Sequence, residues 1–301
     1  MDVTDRPYSN AFYNANARNS TKAALPVLQL LRDLYAPESI VDIGCGSGAW
    51  LTVAGSLGFT TLRGYDGPWA DPSAYTSPDI DFVAVDLEKS GIEHPQRYDL
   101  AMSVEVAEHL SEPRADVIVD ALCAASDVVL FGAALRNQGG LHHVNEQPQS
   151  YWVEKFRRRG YEPYDVVRPV IWDNPDVKAW FKQNTLLYVK SGSAVLDPEQ
   201  LHSMERPIWD LVHPEHYERK LRTARAKIGD ARRLETRVEK LRERNATLKT
   251  QLAATRAEGQ SLRRRLAEEQ ARRTPLRAAA GKVWRRLPPS ARAAVRPTRS
   301  T

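Results

Sequence analysis

Cysteine is scarce: Cys45 and Cys123 are the only two in 301 residues. That excludes a disulfide-stapled scaffold and a multi-cysteine zinc centre, and it fits a reducing compartment. Met1-Asp2-Val3-Thr4-Asp5 has neither the basic start nor the apolar run of a secretory leader, so a cytoplasmic protein is expected. The one long stretch without charge, Ile43 to Leu62, carries five glycines. These suit a turn between buried elements better than a lipid-facing helix. Acidic residues are absent beyond Glu269, and neither proline nor an aromatic residue occurs between Glu218 and Thr274. The formal charge of +5 therefore conceals a division. Residues 1–214 hold 18 basic and 29 acidic side chains, residues 215–269 hold 16 and 9, and residues 270–301 hold 9 basic and none acidic. An acidic head precedes a basic rear, and a surface argument for polyanion binding applies only to the rear.

Within the head, β-type runs alternate with helical stretches. From Ser20 to Tyr35, Ala24, Leu28, Leu31 and Leu34 recur at helical spacing behind an Asn19-Ser20 cap signal. Strand-like runs follow at Ser39–Ile43, Thr61–Tyr65, Asp81–Val85, Asp99–Val104 and Val128–Gly132. Helices are expected after the glycine loop through Leu57, over Arg114–Ala124 and over Gln149–Arg159. Two late β-like runs, Glu162–Ile171 and Thr185–Lys190, suit an antiparallel pair at one edge. This alternation predicts an α/β, doubly wound, mostly parallel sheet covered on both faces.

Behind Pro214 the pattern changes. Leu234, Leu241, Leu248, Thr255 and Leu262 step by seven, as do Val238, Asn245, Leu252, Gly259 and Leu266. Placed at d and a, they form the seam of a long C-terminal coiled-coil helix. Thr255 and Gly259 weaken its middle. The parallel-dimer pairs Arg237–Arg242 and Arg244–Lys249 repel, Gln251–Arg256 is indifferent and Glu258–Arg263 attracts. A long single charged helix is the alternative. The expected parts are an N-terminal helix (1–36), a catalytic domain (37–192), a linker (193–214), the coiled helix (215–274) and a basic amphipathic tail (275–301).

The most informative segment is Val41-Asp42-Ile43-Gly44-Cys45-Gly46-Ser47-Gly48-Ala49-Trp50, between a strand and a helix. Glycines there let the backbone approach a ligand at the carboxyl edge of a sheet. Gly44, Gly46 and Ala49 with Asp66 also satisfy a dinucleotide fingerprint, so this motif alone does not separate a nicotinamide cofactor from another adenosine cofactor. Asp42 would repel a pyrophosphate but suits an ammonium. Asp86 ends the third strand, where an adenine amino group needs an acceptor. After the fourth strand comes Ser103-Val104-Glu105-Val106-Ala107-Glu108-His109-Leu110.

This succession resembles the class I methyltransferases that use S-adenosylmethionine, over roughly residues 8–190. The resemblance implies a Rossmann-like, seven-stranded sheet with an antiparallel edge strand. It implies cofactor contacts from Asp42, Gly44, Gly46, Gly48, Asp66, Asp86, Leu87, Ser103 and Glu105. Leu130-Phe131-Gly132, Gln138-Gly139-Gly140, His143-Val144-Asn145-Glu146-Gln147 and Trp180-Phe181-Lys182-Gln183-Asn184 are similar to a bacterial subgroup that accompanies sugar and cell-surface glycan biosynthesis. It departs from that subgroup at Leu141-His142, where smaller residues are expected. A sugar or glycan hydroxyl is therefore the expected acceptor. His143 is the expected general base, since a neutral imidazole suits proton removal near pH 7, with Glu146 orienting it. Glu108, His109, Asn145 and Trp180 are expected on the acceptor side. No metal is expected, because consecutive His142 and His143 diverge and no third ligand has a fixed spacing.

For the rear, self-association through the seam makes a homo-oligomer the expected partner. Leu276, Ala280, Val283, Trp284 and Leu287 share one helical face among Arg277, Lys282, Arg285 and Arg286, which suits peripheral contact with an anionic inner membrane surface. An RNA methyltransferase using the rear as an electrostatic grip is the rival enzyme, and a scaffolding protein is the rival class. The acidic head disfavours nucleic acid.

Overall fold

The computed structural model describes residues 10–70, 79–94, 96–204 and 209–288. The head carries α1 (Asn10–Tyr35), β1 (Ser39–Ile43), α2 (Ala49–Ser56), β2 (Thr61–Asp66), β3 (Ile80–Ala84), β4 (Leu100–Val104), α3 (Arg114–Ala125) and β5 (Val128–Gly132). Then come α4 (Gln149–Arg157), β6 (Tyr161–Tyr164), α5 (Val167–Ile171), α6 (Ala179–Asn184), β7 (Leu186–Lys190) and α7 (Pro198–Met204), before the long helix α8 (Pro214–Arg286). The strand order is β3-β2-β1-β4-β5-β7-β6. β1 to β5 pair in parallel, and β7 runs antiparallel to both β5 and β6. The order reverses between β1 and β4, so a crevice opens there at the carboxyl ends of the strands.

Side-chain alternation fills both faces. Ile40, Leu100, Met102, Val128, Leu130, Leu187 and Val189 pack into one core with residues of α1, α2, α5 and α6. Their neighbours Val41, Ala101, Val129, Phe131, Leu186 and Tyr188 point the other way, into a core with α3 and α4. A period of two with both faces apolar is what a covered parallel sheet requires.

Three expectations change. α1 begins at Asn10 rather than at the Asn19-Ser20 signal. Helix runs through that signal, and just beyond it the Thr21 hydroxyl donates to the Ala17 carbonyl at 2.9 Å, so that hydroxyl is satisfied inside the helix. Glu162–Ile171 is not one strand: β6 stops at Tyr164 and α5 follows. The break is made by Asp165, whose carboxylate takes a two-pronged bond from buried Arg168 at 2.8 Å per prong, curling the chain so that Val167 and Ile171 enter the core. Burial here outweighs the β-branched composition. β4 starts at Leu100, because the Asp99 carboxylate caps the start of β1, accepting from the Glu38 and Ser39 amides at 2.9 Å each.

The molecule divides into two compact units between Arg222 and Thr223. In the second unit helix continues through Pro275 to Arg286. Leu234, Val238, Leu241, Leu248, Leu252, Leu262 and Leu266 lie exposed along it. The Thr255 hydroxyl, at a seam position, returns to the Gln251 carbonyl at 3.0 Å. Among the described residues, no helix is long and apolar enough to cross a membrane.

Candidate active site

A cavity of about 530 Å³ opens at the reversal point, within the size range of small-molecule sites. One end is made by the loop after β1 and by the ends of β2 and β3; the other holds the turn after β4 and the loop after β5. At the first end Gly44 has φ +87°, and a Cβ there would sit inside contact distance of both Val106 methyls. The bare backbone is thus packed against the β4 turn and presents only peptide groups to a ligand. Asp66 stiffens this loop, accepting from the Gly46 amide at 2.7 Å and the Gly67 amide at 2.6 Å. Each of its oxygens retains capacity to accept a hydroxyl proton. Asp86 lines the wall beyond β3, held low in pKa by Lys89, which it meets at 2.8 Å. Leu87 lines the same wall.

Asp42 lies on the cavity floor, 3% exposed. Burial, reinforced by the nearby Asp66 carboxylate, pushes its carboxyl up to about 8. Because the folded state holds this proton more tightly than the unfolded chain does, stability falls as pH rises from about 4 towards 8. Asp42→Asn, which fixes the uncharged form, is therefore expected to raise the Tm of the cofactor-free protein above pH 8. Below pH 4 the two proteins should melt alike. Each kcal/mol recovered corresponds to roughly 2–4 °C for a domain of this size. Thermal melts across pH 4–9 check this, and equal melting at pH 9 contradicts it.

At the other end the chain leaves β4 through Glu105, held at φ +59°, a strained conformation for a side chain of this kind. Its carboxylate accepts from the Asn184 amide at 2.7 Å and the Gln138 amide at 3.1 Å, while burial pushes it up to about 7. Gln138 in turn accepts from Gln183 at 2.8 Å. This amide clamp on Glu105 was not expected from sequence, since Gln138 and Gln183-Asn184 sit among other polar residues and lie far from Glu105 along the chain. Glu108 is fully buried beside Glu105, where its carboxyl is hydrogen-bonded to the Glu105 carboxyl and to the Ala134 backbone N–H. Burial first, and then the Glu105 charge, push it well up.

His109 and His143 meet edge to face, with ring centroids 4.8 Å apart. Burial and the neighbouring imidazole lower His109 to about 4, so it is neutral at physiological pH. His143 Nδ1 lies 2.8 Å from Glu146 Oε1, and that same oxygen accepts from the Gly139 amide at 2.5 Å. The carboxylate thus fixes the imidazole with Nδ1 protonated and the Nε2 lone pair available. Glu108, His109 and His143 bring ligand-type atoms within 4.8 Å of one another.

Most of the expected residues therefore converge on one cavity: Asp42, Gly44, Gly46, Asp66, Asp86, Leu87 and Glu105 towards one end, Glu108, His109, His143 and Trp180 towards the other. Four do not line it. The Ser103 side chain is fully buried and donates to the Ile43 carbonyl at 2.8 Å, tying β4 to β1. Asn145 is buried behind the site, its amide oxygen taken by Gln147 at 3.0 Å and its backbone N–H by the Glu108 carbonyl at 3.0 Å. Gly48 caps α2 in a left-handed conformation. Glu146 acts through His143. Trp69, just past Asp66, was missed; its indole lines the cavity against Gly67.

A family model described as "Methyltransferase domain" matches residues 13–166, just over half of the chain. The chain belongs to this methyltransferase family. The ubiquinone biosynthesis O-methyltransferase of Klebsiella pneumoniae is 21% identical over 156 residues, covering 50% of this chain and 62% of that protein. The match thus spans less than two thirds of that relative. Among solved structures, a sugar N-methyltransferase from Streptoalloteichus is similar with a TM-score of 0.48 and 12% identity, covering 63% of this chain and 93% of that one. The magnesium protoporphyrin IX methyltransferase of Synechocystis is similar with a TM-score of 0.44 and 15% identity, covering 58% and 84%.

The head is a class I S-adenosylmethionine-dependent methyltransferase domain, and the cavity residues fit that cofactor. A backbone cradle with no room for a Cβ, an acid at the end of β2 and a buried acid under the loop match an adenosine with a cationic amino-acid tail. In this methyltransferase, Asp66 would hold the ribose hydroxyls, Asp86 and Leu87 the adenine, and Asp42 the ammonium.

Proposed function

We propose that the chain transfers a methyl group from S-adenosylmethionine to a hydroxyl of a sugar or glycan. Bound cofactor supplies an activated methyl on a sulfonium, so the protein's main task is alignment. An alcohol must also lose its proton to become a good nucleophile. The observation that carries the reading is the Glu146–His143 pair in the same cavity as the glycine cradle. A carboxylate holds the imidazole so that Nε2 takes the hydroxyl proton, Glu146 offsetting the charge that develops on the ring. Without any further group at the cluster, the imidazole itself is the base.

Support for a sugar comes from the cavity walls. The half-buried indoles of Trp69 and Trp180 offer flat apolar faces of the kind that cover sugar rings, and His109 and His143 line the same cavity. The excess of acidic residues over the head would repel a polyanionic acceptor. Label transfer from methyl-labelled cofactor to sugar nucleotides, oligosaccharides and lipid-linked glycans, run beside catechols, tests the acceptor class. Turnover on a saccharide is the expected result. Turnover confined to catechols would replace the sugar with a phenolic acceptor.

A further inference from the structure

We propose that the apolar seam of α8 pairs with the same seam of a second copy of this chain, the two helices running antiparallel. Leu248 of each helix then lies opposite Leu252 of the other. The seven apolar side chains of the seam, from Leu234 to Leu266, are each 45–62% exposed. They follow one another along about 48 Å of helix at roughly 1.5 Å per residue. A continuous apolar stripe on an otherwise charged helix marks an association surface. All of it lies in the second compact unit, beyond Thr223.

The weak layers of the seam favour the antiparallel pairing. In a parallel pair each seam residue meets itself, so Thr255 faces Thr255 and the next layer sets glycine against glycine. With Leu248 opposite the partner's Leu252, Asn245 faces the partner's Thr255 and Leu241 faces the partner's Gly259. No atom lies within 4 Å of where a Gly259 Cβ would stand, which is space for that leucine. The Thr255 hydroxyl gives its hydrogen to the Gln251 carbonyl at 3.0 Å, so its oxygen can accept from the partner's Asn245 amide. Leu234 meets the partner's Leu266, and Val238 the partner's Leu262. Sliding by one heptad would set Leu266 against the partner's Lys227 in one direction and Val238 against the partner's Glu269 in the other. Either slide also leaves Asn245 facing a leucine, so the register is fixed.

The flanking charges point the same way. In a parallel pair Asp230–Glu235, Arg237–Arg242 and Arg244–Lys249 repel, while Glu258–Arg263 attracts. When the helices run oppositely, e faces e and g faces g. Asp230 then meets the partner's Arg272, Glu235 the partner's Arg263 and Arg244 the partner's Glu258, all of opposite sign. Repulsion persists at Arg237 with the partner's Arg265, at Arg242 with the partner's Arg256 and between the two central Lys249 side chains. Attraction thus outweighs repulsion only in the antiparallel pair. This inference is independent of the acceptor and of the reaction.

The test uses the full chain. Light scattering should give twice the 33.9 kDa of one chain, and Leu248→Lys, at the centre of the seam, should return it to the monomer mass. S-Adenosylmethionine binding shows that the head of this variant has folded. Direction is read by electron–electron double resonance between spin labels at Thr236→Cys, with Cys45→Ala and Cys123→Ala removing the native thiols. Antiparallel pairing places position 236 level with the partner's residue 264, so the labels should stand about 40–50 Å apart. Parallel pairing would bring them within about 30 Å, given helix diameters of roughly 10–12 Å. A parent chain that is monomeric, a dimer that survives Leu248→Lys, or labels within about 30 Å overturns the proposal.

Discussion

Gly44→Ala is expected to weaken S-adenosylmethionine binding by a factor of 100 or more. Two costs combine at this position. The residue sits at φ +87°, where a Cβ is strained by roughly 1–2 kcal/mol. That Cβ would also lie inside contact distance of both Val106 methyls, so the loop after β1 or the turn after β4 must move. Val106 lies between Glu105 and Ala107, so displacing it disturbs both ends of the cavity. Calorimetric titration reads the affinity, and circular dichroism shows that the sheet is retained. Unchanged affinity in a folded variant would mean that the cofactor does not lie over this backbone. The companion change Asp42→Asn acts on charge alone. It should cost about 10–100-fold in affinity, the equivalent of one charge-assisted hydrogen bond of roughly 1.5–3 kcal/mol, while stabilising the free protein at high pH.

His143→Ala is expected to lower kcat by about 100- to 10,000-fold, the usual range for a positioned general base, with cofactor affinity unchanged. The separation follows from the geometry: His143 stands with His109 and Glu108, whereas the cradle is built from the loop after β1 and from Asp66. Glu146→Gln should produce a smaller loss, since it keeps the side-chain size but removes the charge bonded to Nδ1. Loss of cofactor binding in His143→Ala would make the residue part of the cradle. Undiminished turnover would remove it from the chemistry.

The parts of the fold legible in the sequence are those decided locally. β5 falls on an unbroken apolar run at Val128–Gly132, and β1 where Ile40, Val41 and Ile43 lead into the glycine loop. The glycine loop is legible because its conformation admits few other residues. What escaped detection depends on partners distant in the chain. The Asp165–Arg168 pair bends what reads as a continuous strand, and Arg168 is also held by the Trp209 carbonyl at 3.0 Å. Ser103 belongs to the expected motif, yet its hydroxyl is committed to the neighbouring strand. Glu146 next to two histidines suggested either an orienting acid or a ligand set with His142. The structure gives it to His143 Nδ1 and brings His109 and Glu108 to the other side of that ring, across α3 and β5 in sequence. No spacing rule reports such a meeting.

Both ends of the cavity serve one claim: a methyl donor lies over the glycine cradle while a hydroxyl loses its proton at the His143 cluster. The most direct measurement is carbon-13 NMR of the product formed from methyl-labelled S-adenosylmethionine and a saccharide acceptor. The account predicts a single O-methyl resonance that is absent with His143→Ala. Label appearing on nitrogen, or an O-methyl product formed equally well by that variant, would contradict it.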